Sequence, residues 1–202
     1  MKKVDLLLLL SIILICAGHA RAQNKPKSDT EGLFLNFHLN GTSWDLDDDS
    51  EFGELPQQSG GGFGLAFGYG ASQTVTLFMA FDGAQMGGGE EREDYTLVHF
   101  DIGAMVTFLG QATRFRPFGK ASFTARTAEF DVDNAGVSMF GAAFSAGGGL
   151  MVFLTPAFAI TGDAQATWGS MTEITTGGIS LDTSIGARSG RLNAGLTWFP
   201  GR

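Results

Sequence analysis

Eight ionisable residues recur on the polar side of alternating segments: His38, Asp82, His99, Asp101, Lys120, Arg126, Asp163 and Arg191. Gln165 and Asn193 share that side. Three aspartates face three bases, so the signs balance. Ionised groups held in a tight space need partners, because unpaired buried charge is costly. The chemistry expected of this set is a salt-bridged, hydrogen-bonded filling. Its alternative use is a narrow polar conduit for water or small ions.

A second constellation is acidic. Asp45, Asp47, Asp49 and Glu51 set carboxylates at alternate positions, a spacing that can hold Ca²⁺. An EF-hand-type loop starting at Asp45 would want glycine at Ser50 and glutamate at Pro56, and has neither. Glu90, Glu91 and Glu93 form a further acidic stretch, and Glu129, Asp131 and Asp133 another. A solvated acidic crown is the plain expectation. Contact with loose cations, or with a basic extracellular ligand, is the sharper one. No resident metal or cofactor is expected.

Nucleophilic catalysis needs a base within reach of a hydroxyl or thiol. His99 has Asp101 two residues on and no serine beside it on its own segment; Ser122 could approach only across strands. No catalytic residue is assigned, and the chain is read as a non-enzyme. The triplets at 87–89 and 147–149 are glycine runs without the strand-to-helix setting of a phosphate loop. Cys16 is the only cysteine and falls in the leader, so a disulfide framework is excluded. The net charge of −8, with no basic stripe, argues against nucleic acid as a partner.

The elements that must position these residues are strands. Residues 1–22 read as a secretory signal peptide: Lys2 and Lys3 lead an apolar run, and Ala20-Arg21-Ala22 is a cleavage site. That run is too short for a membrane helix, which needs roughly 20 residues. Residues 23–31 read as a polar periplasmic tail, and 32–202 as one domain. Thirty glycines suggest disorder, but 44% hydrophobic and 17% charged residues do not fit that balance. Period-two alternation runs through 32–40, 62–70, 74–82, 95–108, 117–130, 140–154, 157–169 and 191–199. In the clearest case Val98, Phe100, Ile102, Ala104 and Val106 oppose His99, Asp101, Gly103, Met105 and Thr107.

Connections alternate between short (71–73, 110–116, 155–156) and long (41–61, 83–94, 131–139, 170–189). Aromatics gather at both ends, as interface girdles do. Tyr69, Phe108, Phe118, Phe153, Phe158 and Trp198 fall at the short-turn end, and Trp44, Phe81, Tyr95, Phe140 and Trp168 at the long-loop end. Residues 174–190 alternate out of phase with 192–198. They read as a loop hairpin, or as an extension of the last strand past a bulge at Gly190. A ten-stranded count is the alternative.

This leader, this alternation, this rhythm of connections and the ending Arg191-Leu192-Asn193-Ala194-Gly195-Leu196-Thr197-Trp198-Phe199 resemble the small eight-stranded outer-membrane β-barrels, the opacity-type and outer-membrane-protein-X-like group. The resemblance implies an all-β, antiparallel up-and-down transmembrane barrel in a Gram-negative-type cell outer membrane. It implies a structural or surface-interaction role, with a channel, a small-solute transporter or a lipid-modifying enzyme as alternatives. The implied partners are outer-membrane lipid and lipopolysaccharide, and the barrel-assembly machinery reading the C-terminal strand. Family members usually end on an aromatic residue; here Pro200-Gly201-Arg202 follow Phe199.

Overall fold

Alternation pushes each apolar segment into a strand, because only a period of two puts every second side chain on one face. In the computed structural model, which describes residues 30–46, 58–87, 94–108, 114–132 and 135–200, these strands are β1 (Gly32–Leu46), β2 (Gln58–Gly70), β3 (Val75–Met86), β4 (Tyr95–Thr107), β5 (Phe115–Val132), β6 (Ala135–Phe153), β7 (Phe158–Thr176) and β8 (Ile179–Trp198). The expected signal peptide and most of the tail lie outside the described residues. Each strand pairs antiparallel with the next. β8 returns to β1, from Leu35 opposite Trp198 to Leu46 opposite Ala187, so the sheet closes and no edge is left. The described residues form eight strands, not ten.

The outer face is apolar. Phe63 and Phe123 are 76% and 77% exposed, and Phe37, Leu39, Ile102, Leu192 and Leu196 are exposed with them. Water-soluble monomers rarely expose an apolar patch above a few hundred Å². A continuous apolar wall around a closed sheet is the form that satisfies every backbone group inside hydrocarbon. No helix among the described residues is long and apolar enough to cross a membrane; the crossing is made by strands.

Two short turns use the same device. The Ser72 hydroxyl accepts from the backbone N–H of Thr74 and Val75, at 3.2 and 3.0 Å. The Thr155 hydroxyl accepts from Ala157 and Phe158, at 3.2 and 3.1 Å. A side-chain oxygen thus stands in for a turn carbonyl.

Two expected long loops are corrected to strand. β5 and β6 stay paired out to Val132 and Ala135, and β7 and β8 out to Thr176 and Ile179. Alternating β-branched residues such as Val137, Thr175 and Ile179 keep these ladders zipped beyond the bilayer. Gly177 and Gly178 close the last hairpin with φ of 58° and 83°, both positive as a type I′ turn requires. The wall is therefore uneven: β5 to β8 hold 18 to 20 residues each, and β1 to β4 hold 12 to 15.

The expected bulge at Gly190 is also corrected. Gly190 sits in unbroken register with Ser43 and Ala166. The irregularities fall between Phe140 and Gly141 and between Met171 and Glu173. Ala187, Ser189, Arg191 and Asn193 all lie buried on the bore side of one strand. The change of phase read in the sequence is a change in what fills the bore, from polar to apolar.

Candidate functional site: a layered lumen

The bore is filled in three layers. At the short-turn end Phe34, Phe78, Phe118, Met151, Phe153 and Phe199 form an apolar floor. Phe153 stacks on Phe199 at 5.5 Å between ring centres, and the Arg116 guanidinium lies 4.5 Å over Phe153. At the opposite end Trp44, Met86, Tyr95, Leu97, Met139 and Met171 form an apolar roof. Tyr95 stacks on Phe130 at 4.5 Å.

Between them lies an ionic layer. Arg191 reaches across from β8 to Asp82 of β3 and Asp101 of β4, its Nη1 at 2.6 and 2.7 Å from their Oδ2 atoms. His38 Nε2 stands 2.5 Å from the other Asp82 oxygen, and its Nδ1 lies 2.7 Å from Asn36 Oδ1. Asp101 also accepts from Ser122 and Thr124. A hydroxyl chain then runs from Thr124 through Ser145 to Thr167. Lys120 pairs with Asp163 at 2.6 Å, and the Asn193 amide donates to the same carboxylate. Gln165 donates to Ser122 at 3.4 Å. Arg126 donates from Nη2 to the Ala187 carbonyl at 3.3 Å.

All ten residues expected in the polar network are thus placed in the bore: His38, Asp82, His99, Asp101, Lys120, Arg126, Asp163, Gln165, Arg191 and Asn193. The serines and threonines that complete their hydrogen bonds, Ser145, Thr167 and Ser189 above all, were not singled out from the sequence. Their parity on the strands is the signal that finds them. Of the acidic-loop residues, Asp45 lies at the end of β1 and is exposed. Asp47, Asp49, Glu51, Glu90, Glu91 and Glu93 lie outside the described residues.

The interface aromatics divide. Tyr69, Phe108, Trp168 and Trp198 are exposed on the outer wall. Trp44 and Tyr95, expected there too, are each only 3% exposed and belong to the roof. Phe118 and Phe153 are likewise floor residues. The reason is parity: Trp44 shares the inward face of β1 with Asn36 and Asn40, and Tyr95 that of β4 with His99 and Asp101.

One glycine is required by the ionic layer. A Cβ on Gly64 would run into Asp82 Oδ1 and His38 Nε2. The Gly64→Ala variant should split the His38–Asp82 pair and lose about 1–3 kcal/mol, the usual cost of overpacking. Urea unfolding in detergent micelles measures this, and a parental midpoint would refute the close packing.

Between ionic layer and floor lies a chamber of about 60 Å³, lined by His38, Asp82, Lys120, Asp163, Asn193, Phe34 and Phe199 among others. At about 10–15 Å³ of such volume per water it has room for a few waters. His99 Nε2 lies 3.2 Å from Ser189 Oγ, not beside Ser122. Both members of that pair are buried in the bore.

The crystal structure of Neisserial surface protein A is similar to this fold with a TM-score of 0.65 at 15% identity, covering 83% of this chain and 97% of that one. The chain has the fold of the small outer-membrane β-barrels. Ail, the attachment invasion locus protein of Yersinia pestis, is similar at a TM-score of 0.48 and 17% identity, over 83% of this chain and 99% of that one. The outer membrane protein OprG of Pseudomonas aeruginosa is similar at 0.48 and 14% identity, over 84% and 96%. No family model and no curated protein matches the chain.

Proposed function

We propose that this barrel is an integral outer-membrane protein with a structural or surface-interaction role and a bore that does not conduct. The observation carrying this reading is the order of layers. An ion crossing the lumen would meet the Phe-rich floor, a salt-bridged layer and the Trp–Met–Tyr roof in turn. Dehydrating an ion against two apolar layers is prohibitive without pairing groups inside them. The outward wall serves lipid and lipopolysaccharide. The strand ending in Trp198 and Phe199 serves recognition by the assembly machinery. Loops on a rigid scaffold are where an extracellular ligand is met, and the acidic crown favours a basic one or one bridged by cations. Hydrolase chemistry finds no support, because the His99–Ser189 pair is sealed from lipid and from water.

The test is single-channel recording in planar bilayers with the folded, detergent-purified barrel. The expected trace is silent in molar KCl. Steady, reproducible openings that scale with salt would overturn the sealed bore and favour the channel reading.

A further inference from the structure

We propose that the chamber between the ionic layer and the floor is a built water site, with ordered water held between the Asn193 amide oxygen and the Lys120 ammonium. The space begins with two small residues. Ala66 of β2 and Ala80 of β3 are direct cross-strand partners, and both line the chamber. Phe78 and Asp82 flank Ala80 on the bore face of β3. A methyl group fills less of the bore than those neighbours do, and about 60 Å³ is left.

The lining has two characters. Phe34, Phe118 and Phe199 face the chamber from the floor, and Lys120, Asp163 and Asn193 from the ionic layer. A wholly apolar cavity stays dry. A cavity takes up water when it has the room and offers two to four polar partners. The volume meets the first condition, and the ionic side meets the second.

One amide sets the partners. Asn193 Nδ2 donates to Asp163 Oδ1 at 3.0 Å. An amide turned over would set two oxygens against each other, so its orientation is fixed. The Asn193 oxygen is thereby left without a protein donor, on a residue only 7% exposed that borders the chamber. Lys120 carries three N–H donors, and Asp163 Oδ1 takes one of them at 2.6 Å. The side chains of Lys120 and Asp163 are 13% and 10% exposed, against 4% and 2% for Asp82 and Asp101. The free space therefore lies against the Lys120–Asp163 pair more than against the Arg191 cluster. Water there accepts from Lys120 and donates to the Asn193 oxygen. It also hydrates an ion pair that a dry chamber would hold at a cost. The ionic layer is thus dry around Arg191 and wet around Lys120. Conduction is a separate matter, since floor and roof close the bore whether the chamber is wet or dry.

Urea unfolding of the refolded barrel in micelles compares Lys120→Met with the double variant Lys120→Met/Asp163→Asn. In a wet chamber, water solvates the Asp163 carboxylate left behind, so the two midpoints coincide. A double variant that recovers towards the parental midpoint reports a stranded charge in a dry cavity and overturns the proposal. High-resolution crystals of the parent, with and without xenon pressure, are the second arm. Ordered water within hydrogen-bond reach of Asn193 Oδ1 and Lys120 Nζ is expected, with no xenon beside it. Xenon seated against Phe34, Phe118 and Phe199, as apolar cavities accept it, overturns the proposal. So does an Asn193 oxygen that meets a protein donor. Should Lys120→Met not refold, the parent crystals decide the matter.

Discussion

Arg191→Met lowers the stability of the barrel by about 3–5 kcal/mol, the usual loss when one partner of a buried ionic cluster is removed. Methionine fills the volume but leaves Asp82 and Asp101 facing each other without the cation that both contact. His38 relieves only Asp82. Adding Asp101→Asn removes one stranded charge, so the double variant regains part of the loss. Equilibrium urea unfolding of the refolded proteins reads both effects. An Arg191→Met barrel as stable as the parent would mean that the ionic layer is open to water.

Trp44→Ala loses about 3–5 kcal/mol, as expected for an aromatic core residue truncated to a cavity. Trp44 packs in the roof 5.7 Å from the Tyr95 ring, with Met86 and Leu97 in the same cluster. Trp198→Ala is the comparison. Trp198 is exposed on the outer wall and stacks on Phe158 at 6.3 Å. Lipid chains fill the space it leaves, so its loss is smaller. The same unfolding experiment compares the two. Equal losses would place Trp44 at the lipid boundary after all and remove the roof.

Most of the architecture is legible in the sequence because a closed sheet has one rule: alternate residues face opposite media. Val98 to Val106 against His99 to Thr107 already separate wall from filling. The same rule assigns Trp44 and Tyr95 to the bore. Reading them as boundary residues follows residue type, and an aromatic side chain serves a dry plug as well as an interface. The apparent dislocation near Gly190 has a related origin. Ala187 faces the bore as Arg191 does, but hydropathy alone marks it as wall. The contacts of Arg191 were beyond reach for a different reason. β8 meets β3 and β4 only across the lumen, so the pairing depends on closure and stagger of all eight strands. No local pattern encodes that. The reach of β5–β8 beyond the bilayer was hidden as well, because a hairpin and a polar loop draw on the same Thr, Ser and Gly.

The uneven rim has a consequence for anything arriving from outside. Strands rise about 3.3 Å per residue and tilt by about 35–45°, so twenty residues climb roughly 50 Å, twice the roughly 25 Å apolar band of such barrels. Half the circumference therefore projects as a stiff parapet of paired ribbon, with Ile179 and Leu181 exposed near its crest. In the other half the described ladders stop at Leu46 and Gln58 and at Met86 and Tyr95. What lands on that crest meets backbone that is already ordered, so a contact there costs little further loss of chain freedom.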